Sequence, residues 1–298
     1  LIASDYTVQR ALEINLDPVD LPKFKFFKQR KPLYGLMGID WGNLVLRRLF
    51  FLYREGRRIF EARLAIRQAH IPTEPTVLVI CTVSTRNIHQ KGDFHSLHFG
   101  GLVKKLSHIG HRIAVMPVVL RDVRYQNALE QVKSPDHPLM VQHRYLRFID
   151  LIKAVLATFS KPYLPRPFPR LHGLNISPMA YEDQWSHWRS NRAADCLLFS
   201  AMIRRLNDAG ANLTRIIYLY ENQPWERALC WEAFRSLPHT VMVGYQHSRL
   251  PRHLLHLFQT EGGEKAAPFP NFVVTNGPYS ARVLTSGGFE DDRVKVGC

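Results

Sequence analysis

Three apolar, β-branched runs of this 298-residue chain each end in a polar segment that carries groups capable of chemistry. These runs are Thr76–Val83, Arg215–Tyr220 and Thr240–Tyr245. The segments after them hold carboxylates and imidazoles, the side chains that most often act as general acids and bases. Ligands of open α/β sheets bind outside the carboxyl ends of parallel strands. The three segments are therefore the candidate functional loops.

The first loop, residues 84–94, and the start of the next helix are rich in charged and imidazole groups. Asp93 is a candidate general base toward a substrate hydroxyl, and Arg86 and His95 are candidate substrate-binding residues. The alternative is that Asp93 only caps the helix that follows. Neither the glycine fingerprint of dinucleotide-binding folds nor the P-loop motif is present, which argues against both kinds of site.

The second loop places Glu221 at a strand end, just before a helix that begins at Pro224. The positive end of that helix favours the ionised carboxylate, which can hold substrate hydroxyls or orient a base. Trp225 offers an apolar ring face of the kind on which sugars stack. In the alternative, Glu221 caps the helix and Trp225 packs it against the sheet.

The third loop begins with Gln246 and His247, after a strand that contains Gly244. Both side chains are candidate substrate-binding groups. His247 can donate a hydrogen bond to a phosphate or carboxylate, with backbone N–H groups assisting. The alternative is a histidine that is solvated or satisfied locally. Because the second and third runs flank one helix, we expect Glu221 and His247 to lie near each other at one edge of the sheet.

Repeated alternation of strand and helix patterns positions these loops. The pattern predicts an α/β fold, a Rossmann-like parallel sheet covered by helices on both faces. Glycines at 110 and 210 are expected to end helices. Further predicted strands are Arg112–Val119, Asn271–Thr275 and Arg293–Val296, and predicted helices include Tyr145–Phe159, Pro224–Ser236 and Tyr279–Thr285.

Residues 1–72 are predicted to form a basic helical N-terminal extension. Lysines and phenylalanines alternate between Lys23 and Lys31, and Asn43–His70 has helical periodicity with many arginines. A basic amphipathic element of this kind can lie on an anionic membrane surface. The alternative is a helix packed on the domain, with arginines extending from its edges to water.

The formal net charge of +15 favours anionic partners: nucleic acid, phosphorylated substrates or an anionic membrane surface. No recognised nucleic-acid-binding motif is present, so no nucleic-acid partner is expected, although a nucleic-acid-binding protein stays an alternative. The four cysteines form no CxxC pair and no zinc-type cluster, so neither a metal site nor disulfides are expected.

The order of motifs from residue 215 to 297 resembles bacterial surface-carbohydrate biosynthesis proteins of capsule and lipopolysaccharide, which are related to GT-B glycosyltransferases. It is similar, more distantly, to the Kdo transferases. The resemblance covers residues 76–298. Its distinctive motifs are YENQPWE at 220–226, GYQHS at 244–248, NG at 276–277 and RVKVG at 293–297.

The resemblance implies that residues 73–298 are the acceptor-type first domain of a GT-B fold, with the donor domain missing after residue 298. It implies transfer of a sugar from a nucleotide-activated donor to a glycan or glycolipid acceptor, without a metal or other cofactor. Asp93 would supply the base, although Kdo transferases use a glutamate there. The expected location is cytoplasmic, peripheral on the inner face of the membrane. A non-catalytic polysaccharide assembly protein is a further alternative.

Overall fold

The computed structural model describes most of the chain from Trp41 onward. The described ranges are 41–83, 98–120, 123–132, 137–159, 170–171, 174–175, 190–248, 250 and 268–297. Three of the residues singled out above, Arg86, Asp93 and His95, lie outside these ranges, as do residues 1–40.

Six parallel strands form the central sheet: β1 Thr76–Val83, β2 Arg112–Val119, β5 Leu213–Leu219, β6 Val241–Gln246, β7 Phe272–Thr275 and β8 Val294–Val296. They are hydrogen-bonded in the order β2-β1-β5-β6-β7-β8. Because parallel strands require crossover connections, this topology agrees with the predicted alternation of strands and helices. Arg170–Leu171 (β3) and Leu174–Asn175 (β4) pair separately as a small antiparallel ladder.

Eight helices are present in the described ranges, and the sheet carries helices on both faces. They are α1 Trp41–Ala65, α2 Leu102–His108, α3 Tyr125–Val132, α4 Gln142–Tyr145, α5 Phe148–Ala157, α6 Arg192–Asp208, α7 Pro224–Ser236 and α8 Pro278–Ser286. Two extended residues, Leu146 and Arg147, separate α4 from α5, so the predicted helix at 145–159 begins only at Phe148. The α/β, Rossmann-like prediction is confirmed at this level.

Two hydrophobic clusters follow from the alternation of side chains across the sheet. Alternate residues of β1, such as Leu78 and Ile80, pack with α6 and α7 on one face, whereas Val77 and Val79 pack with α2 and α3 on the other. Gly110 and Gly210 both have positive φ, 91° and 76°, directly after α2 and α6. Both therefore end a helix as the sequence predicted, in a conformation that glycine adopts without strain.

Helix α1 belongs to the same core as the sheet. Phe51 and Ile59 enter one hydrophobic cluster and Ala62 enters the other. The helix spans residues 41–65 rather than the predicted 43–70. None of the described helices is both long enough and apolar enough to cross a membrane.

A buried hydrogen-bonded chain joins α1 to α3 and α4. His143 Nε2 lies 2.7 Å from Glu55 Oε2, and His143 Nδ1 lies 2.9 Å from the Tyr125 hydroxyl. A carboxylate only accepts, so Nε2 carries the proton and the Tyr125 hydroxyl donates to Nδ1. Arg54 and Arg58 pair with the same carboxylate. These contacts hold the inner face of α1 against the domain.

The order of strands creates one topological switch point, between β1 and β5. The chain proceeds from β1 outward to β2, returns to β5 on the other side of β1, and then proceeds outward to β8. The crossovers on the two sides of such a point lie on opposite faces, which leaves a crevice at the carboxyl ends of the strands. β1 and β5 flank this crevice, and β6 is the next strand after β5.

Candidate functional site

Three polar side chains from three segments meet at the carboxyl edge of the sheet. His247 Nε2 lies 3.9 Å from Glu221 Oε1, and the rings of His247 and His98 are 4.4 Å apart in a T-shaped arrangement. Glu221 follows β5, His247 follows β6, and His98 precedes α2. The predicted proximity of Glu221 and His247 is confirmed. Hydrogen-bonded pairing of β5 with β6 is the physical reason, since it brings their ends together.

The side chains of Glu221 and His247 differ in their exposure to solvent. The Glu221 side chain is 52% exposed, whereas that of His247 is 15% exposed. Burial lowers the pKa of His247, and the neighbouring His98 lowers it further, against an opposing pull from Glu221. Burial also lowers the pKa of His98, again opposed by Glu221. Both rings are therefore neutral at neutral pH, so each has one nitrogen that donates and one that accepts.

Gln246 is the last residue of β6 and is 1% exposed. Neither its amide nitrogen nor its amide oxygen has a hydrogen-bond partner among the described residues, and the same holds for His247 Nδ1. A buried polar atom without a partner costs about 1–3 kcal/mol of stability. A ligand that enters at this strand end and supplies both a donor and an acceptor would offset that cost.

A capping carboxylate shapes the loop that carries Glu221. Glu226 accepts hydrogen bonds from the backbone N–H groups of Glu221, Asn222 and Gln223, at 3.0–3.3 Å. Burial raises the pKa of Glu226 to about 8, while these same N–H groups act in the opposite direction. Asn222 has a positive φ of 54°, a conformation that asparagine tolerates better than most residues. Glu226, and not the Glu221 side chain, therefore caps α7.

The side chain of Arg227 lies close to this loop and packs on an aromatic ring. The Arg227 guanidinium stacks on Phe269, with its central carbon 3.4 Å from the ring centroid, and its Nε donates to Asn222 Oδ1. Its Nη1 is buried without a partner among the described residues. Phe269 in turn contacts Phe289, whose ring meets Tyr220. The stack holds a fixed cation beside the carboxyl end of β5.

Trp225 makes its ring contacts inside the domain. The indole lies 4.8 Å from the ring of Phe199 on α6 and 5.9 Å from that of Tyr218 on β5. These contacts are those of the packing role that the sequence allowed. Stacking of a sugar on Trp225 stays a prediction.

Sequence reasoning passed over three residues as members of the site: His98, Glu226 and Arg227. Glu226 stands three residues after Gln223, which is the spacing of a helix capping box and was readable in the sequence. Arg227 had no such signal, because its stacking on Phe269 joins residues far apart in the chain. Among the described residues, no group of three or more His, Cys, Asp or Glu side chains is arranged to hold a metal ion.

Close packing of Gly244 against Tyr220 supports the loop, and we expect Gly244→Ala to lower the free energy of unfolding by about 1–3 kcal/mol. A Cβ at Gly244 would lie 3.0 Å from both Cβ and Cδ2 of Tyr220, so the ring that precedes Glu221 must move. Urea unfolding measures the change. Gly101→Ala is the control, since nothing lies within 4 Å of its added Cβ. Equal effects of the two variants would contradict this account.

Comparison with known proteins gave no relative for this chain. No family model matches it, and neither a curated protein nor a solved structure is significantly similar. The assignment of function therefore depends on the site itself.

Proposed function

We propose that this chain is the acceptor-side domain of a glycosyltransferase of bacterial surface-polysaccharide synthesis. In this proposal it transfers a sugar from a nucleotide-activated donor to a glycan or glycolipid acceptor. The observation that carries the proposal is the cluster of Glu221, His247 and His98 beside the switch point. It provides a solvent-accessible carboxylate and two neutral imidazoles where open α/β sheets bind ligands.

The proposed chemistry follows from these groups. Glu221 takes the proton of an acceptor hydroxyl as its oxygen attacks the anomeric carbon of the donor. The bond from that carbon to the phosphate breaks, and the departing nucleotide phosphate keeps the electron pair. Asp93, which lies outside the described residues, is the second candidate for the base. His247 and Gln246 then hold hydroxyl groups of the acceptor through atoms that lack partners in the described part of the protein.

The positive charge of the chain supports this proposal further. Nucleotide sugars carry phosphates, and glycolipid acceptors lie in anionic membranes. A formal net charge of +15 attracts both. We therefore place the reaction at the inner face of the cytoplasmic membrane, with the protein bound peripherally.

The test is binding and turnover of a panel of uridine, guanosine, cytidine and adenosine nucleotide sugars, by calorimetry and by mass spectrometry of products. Gln246→Leu is the informative variant. We expect it to weaken binding of the acceptor glycan at least tenfold, because a buried donor and acceptor are lost. We also expect it to leave the free energy of unfolding unchanged or to raise it by about 1 kcal/mol, because an unpartnered buried amide is removed.

Gln131→Leu is the matched control. Gln131 Oε1 is likewise buried without a partner among the described residues, but it lies in the last turn of α3. We expect the same small effect on stability and no effect on binding. Equal loss of acceptor binding in both variants would remove Gln246 from the site. Failure of the parent chain to bind any glycan or glycolipid acceptor, with or without a nucleotide sugar present, would remove the proposed function.

A further inference from the structure

The outward face of α1 exposes large apolar side chains along most of its length. The inward face is buried in the core through Phe51 and Ile59, so the helix packs on the domain by one side only. The outward side chains recur at intervals of three, four and seven residues, which aligns them in one stripe. They are Leu46, Leu49, Phe50, Tyr53, Phe60 and Leu64.

Helix α5 widens this stripe. The ring of Phe148 lies against Gly56, where a Cβ would stand 3.0 Å from the ring. Gly56 lies three residues after Tyr53 and four before Phe60, so Phe148 borders the exposed face of α1. Ile149, Ile152 and Leu156 of α5 are exposed as well. These side chains of both helices are called the α1–α5 surface below.

Charge is divided between the inner and outer sides of the two helices. All three of their carboxylates are buried and paired with arginine: Glu55, Glu61 and Asp150. The exposed charged side chains of the same helices are all cationic. They are Arg47, Arg57, Arg63 and Lys153.

We infer that the α1–α5 surface binds an anionic lipid bilayer, with both helices lying in the plane of the headgroups. Apolar side chains enter the acyl boundary while the arginines and Lys153 meet lipid phosphates, the arrangement of an interfacial helix. A second copy of the chain would bring an identical cationic surface and repel the first. Nucleic acid is disfavoured because aliphatic side chains dominate the surface, whereas protein–nucleic acid interfaces are polar. This inference rests on the peripheral membrane binding proposed above and names its surface, but it does not depend on the chemistry proposed for the strand ends.

Vesicle flotation tests the inference with the whole chain. We compare vesicles of phosphatidylcholine with vesicles in which phosphatidylglycerol replaces part of it, and expect at least tenfold stronger partitioning onto the second. Phe50→Gln and Phe60→Gln should each lower partitioning about tenfold, because each removes an aromatic ring that lipid would bury in part. Lys153→Gln should lower it about fivefold at low salt and less at high salt.

Trp231→Gln is the matched control, because Trp231 is an equally exposed aromatic on another helix, at 52% against 61% for Phe50. We expect no change in its partitioning, and circular dichroism to report native helix content in every variant. Equal binding to both vesicle types, or an equal loss with Trp231→Gln, would overturn the inference. Two further results would overturn it: sedimentation that shows a dimer, or binding of an oligonucleotide, if Phe50→Gln abolishes either one and still binds vesicles.

Discussion

Replacement of Glu221 by glutamine is expected to lower kcat for sugar transfer by roughly 10²–10⁴-fold, the usual contribution of a general base. Glutamine keeps the size of the side chain but cannot take a proton from the acceptor hydroxyl. The side chain is half exposed and does not cap α7, since Glu226 does so. We therefore expect the stability and the donor binding of the variant to be unchanged. Thermal unfolding measures the stability, calorimetry measures donor binding, and initial rates give kcat.

Glu290→Gln is the control for this prediction. Glu290 is 60% exposed and precedes β8, so it lies toward the amino ends of the strands, away from the site at their carboxyl ends. We expect it to leave kcat and stability unchanged. If Glu221→Gln retains turnover within about threefold of the parent, short of the roughly 10²-fold loss expected of a base, then Asp93 becomes the candidate base.

Glu55→Gln is expected to lower the free energy of unfolding by about 3–5 kcal/mol, the range found when one partner of a buried ion pair is removed. The variant removes the carboxylate that Arg54 and Arg58 share, leaves Arg54 with Asp195 alone among the described carboxylates, and disturbs the bond from His143. Glu61→Gln is the control on the same helix, because its partner Arg57 is 64% exposed and water screens such a pair, so we expect a much smaller loss. Chemical denaturation measures both, and equal losses would contradict the assigned role of the buried chain.

The same carboxylate predicts a dependence of stability on pH. Burial by itself raises the pKa of Glu55, but the hydrogen bond from His143 and the charges of Arg58 and Arg54 outweigh it and lower the pKa to about 2. Burial also lowers the pKa of His143, so that its ring is neutral near pH 7. At these two groups the unfolded chain therefore binds more protons than the folded one, so their contribution to stability falls as the pH is lowered from about 6.5 toward 2. Glu55→Gln should flatten the lower part of that curve, below about pH 5.

Local sequence determined the elements of this fold. β1, β2 and α7 have the predicted bounds, because continuous apolar runs, a proline in the first helical turn and ending glycines act over a few residues. Most strand boundaries moved by one or two residues; for example, β6 ends at Gln246 rather than Tyr245. The end of α1 moved further, to Ala65 from the predicted His70. A split between α4 and α5 was not predicted, because the extended Leu146 carries no turn signal in the sequence.

Contacts between segments that are far apart in the sequence could be known only from the tertiary structure. The sequence placed Glu221 and His247 on neighbouring strand ends, and parallel pairing of β5 with β6 was enough for that. His98 joined them only because the segment before α2 folds over the end of β6. The amphipathic pattern of α1 likewise left open which partners its two faces meet. Side chains of α3, α4 and α6 settled that question for the inner face, because burying Glu55 beside arginines and His143 is tolerable only when all these groups meet at once.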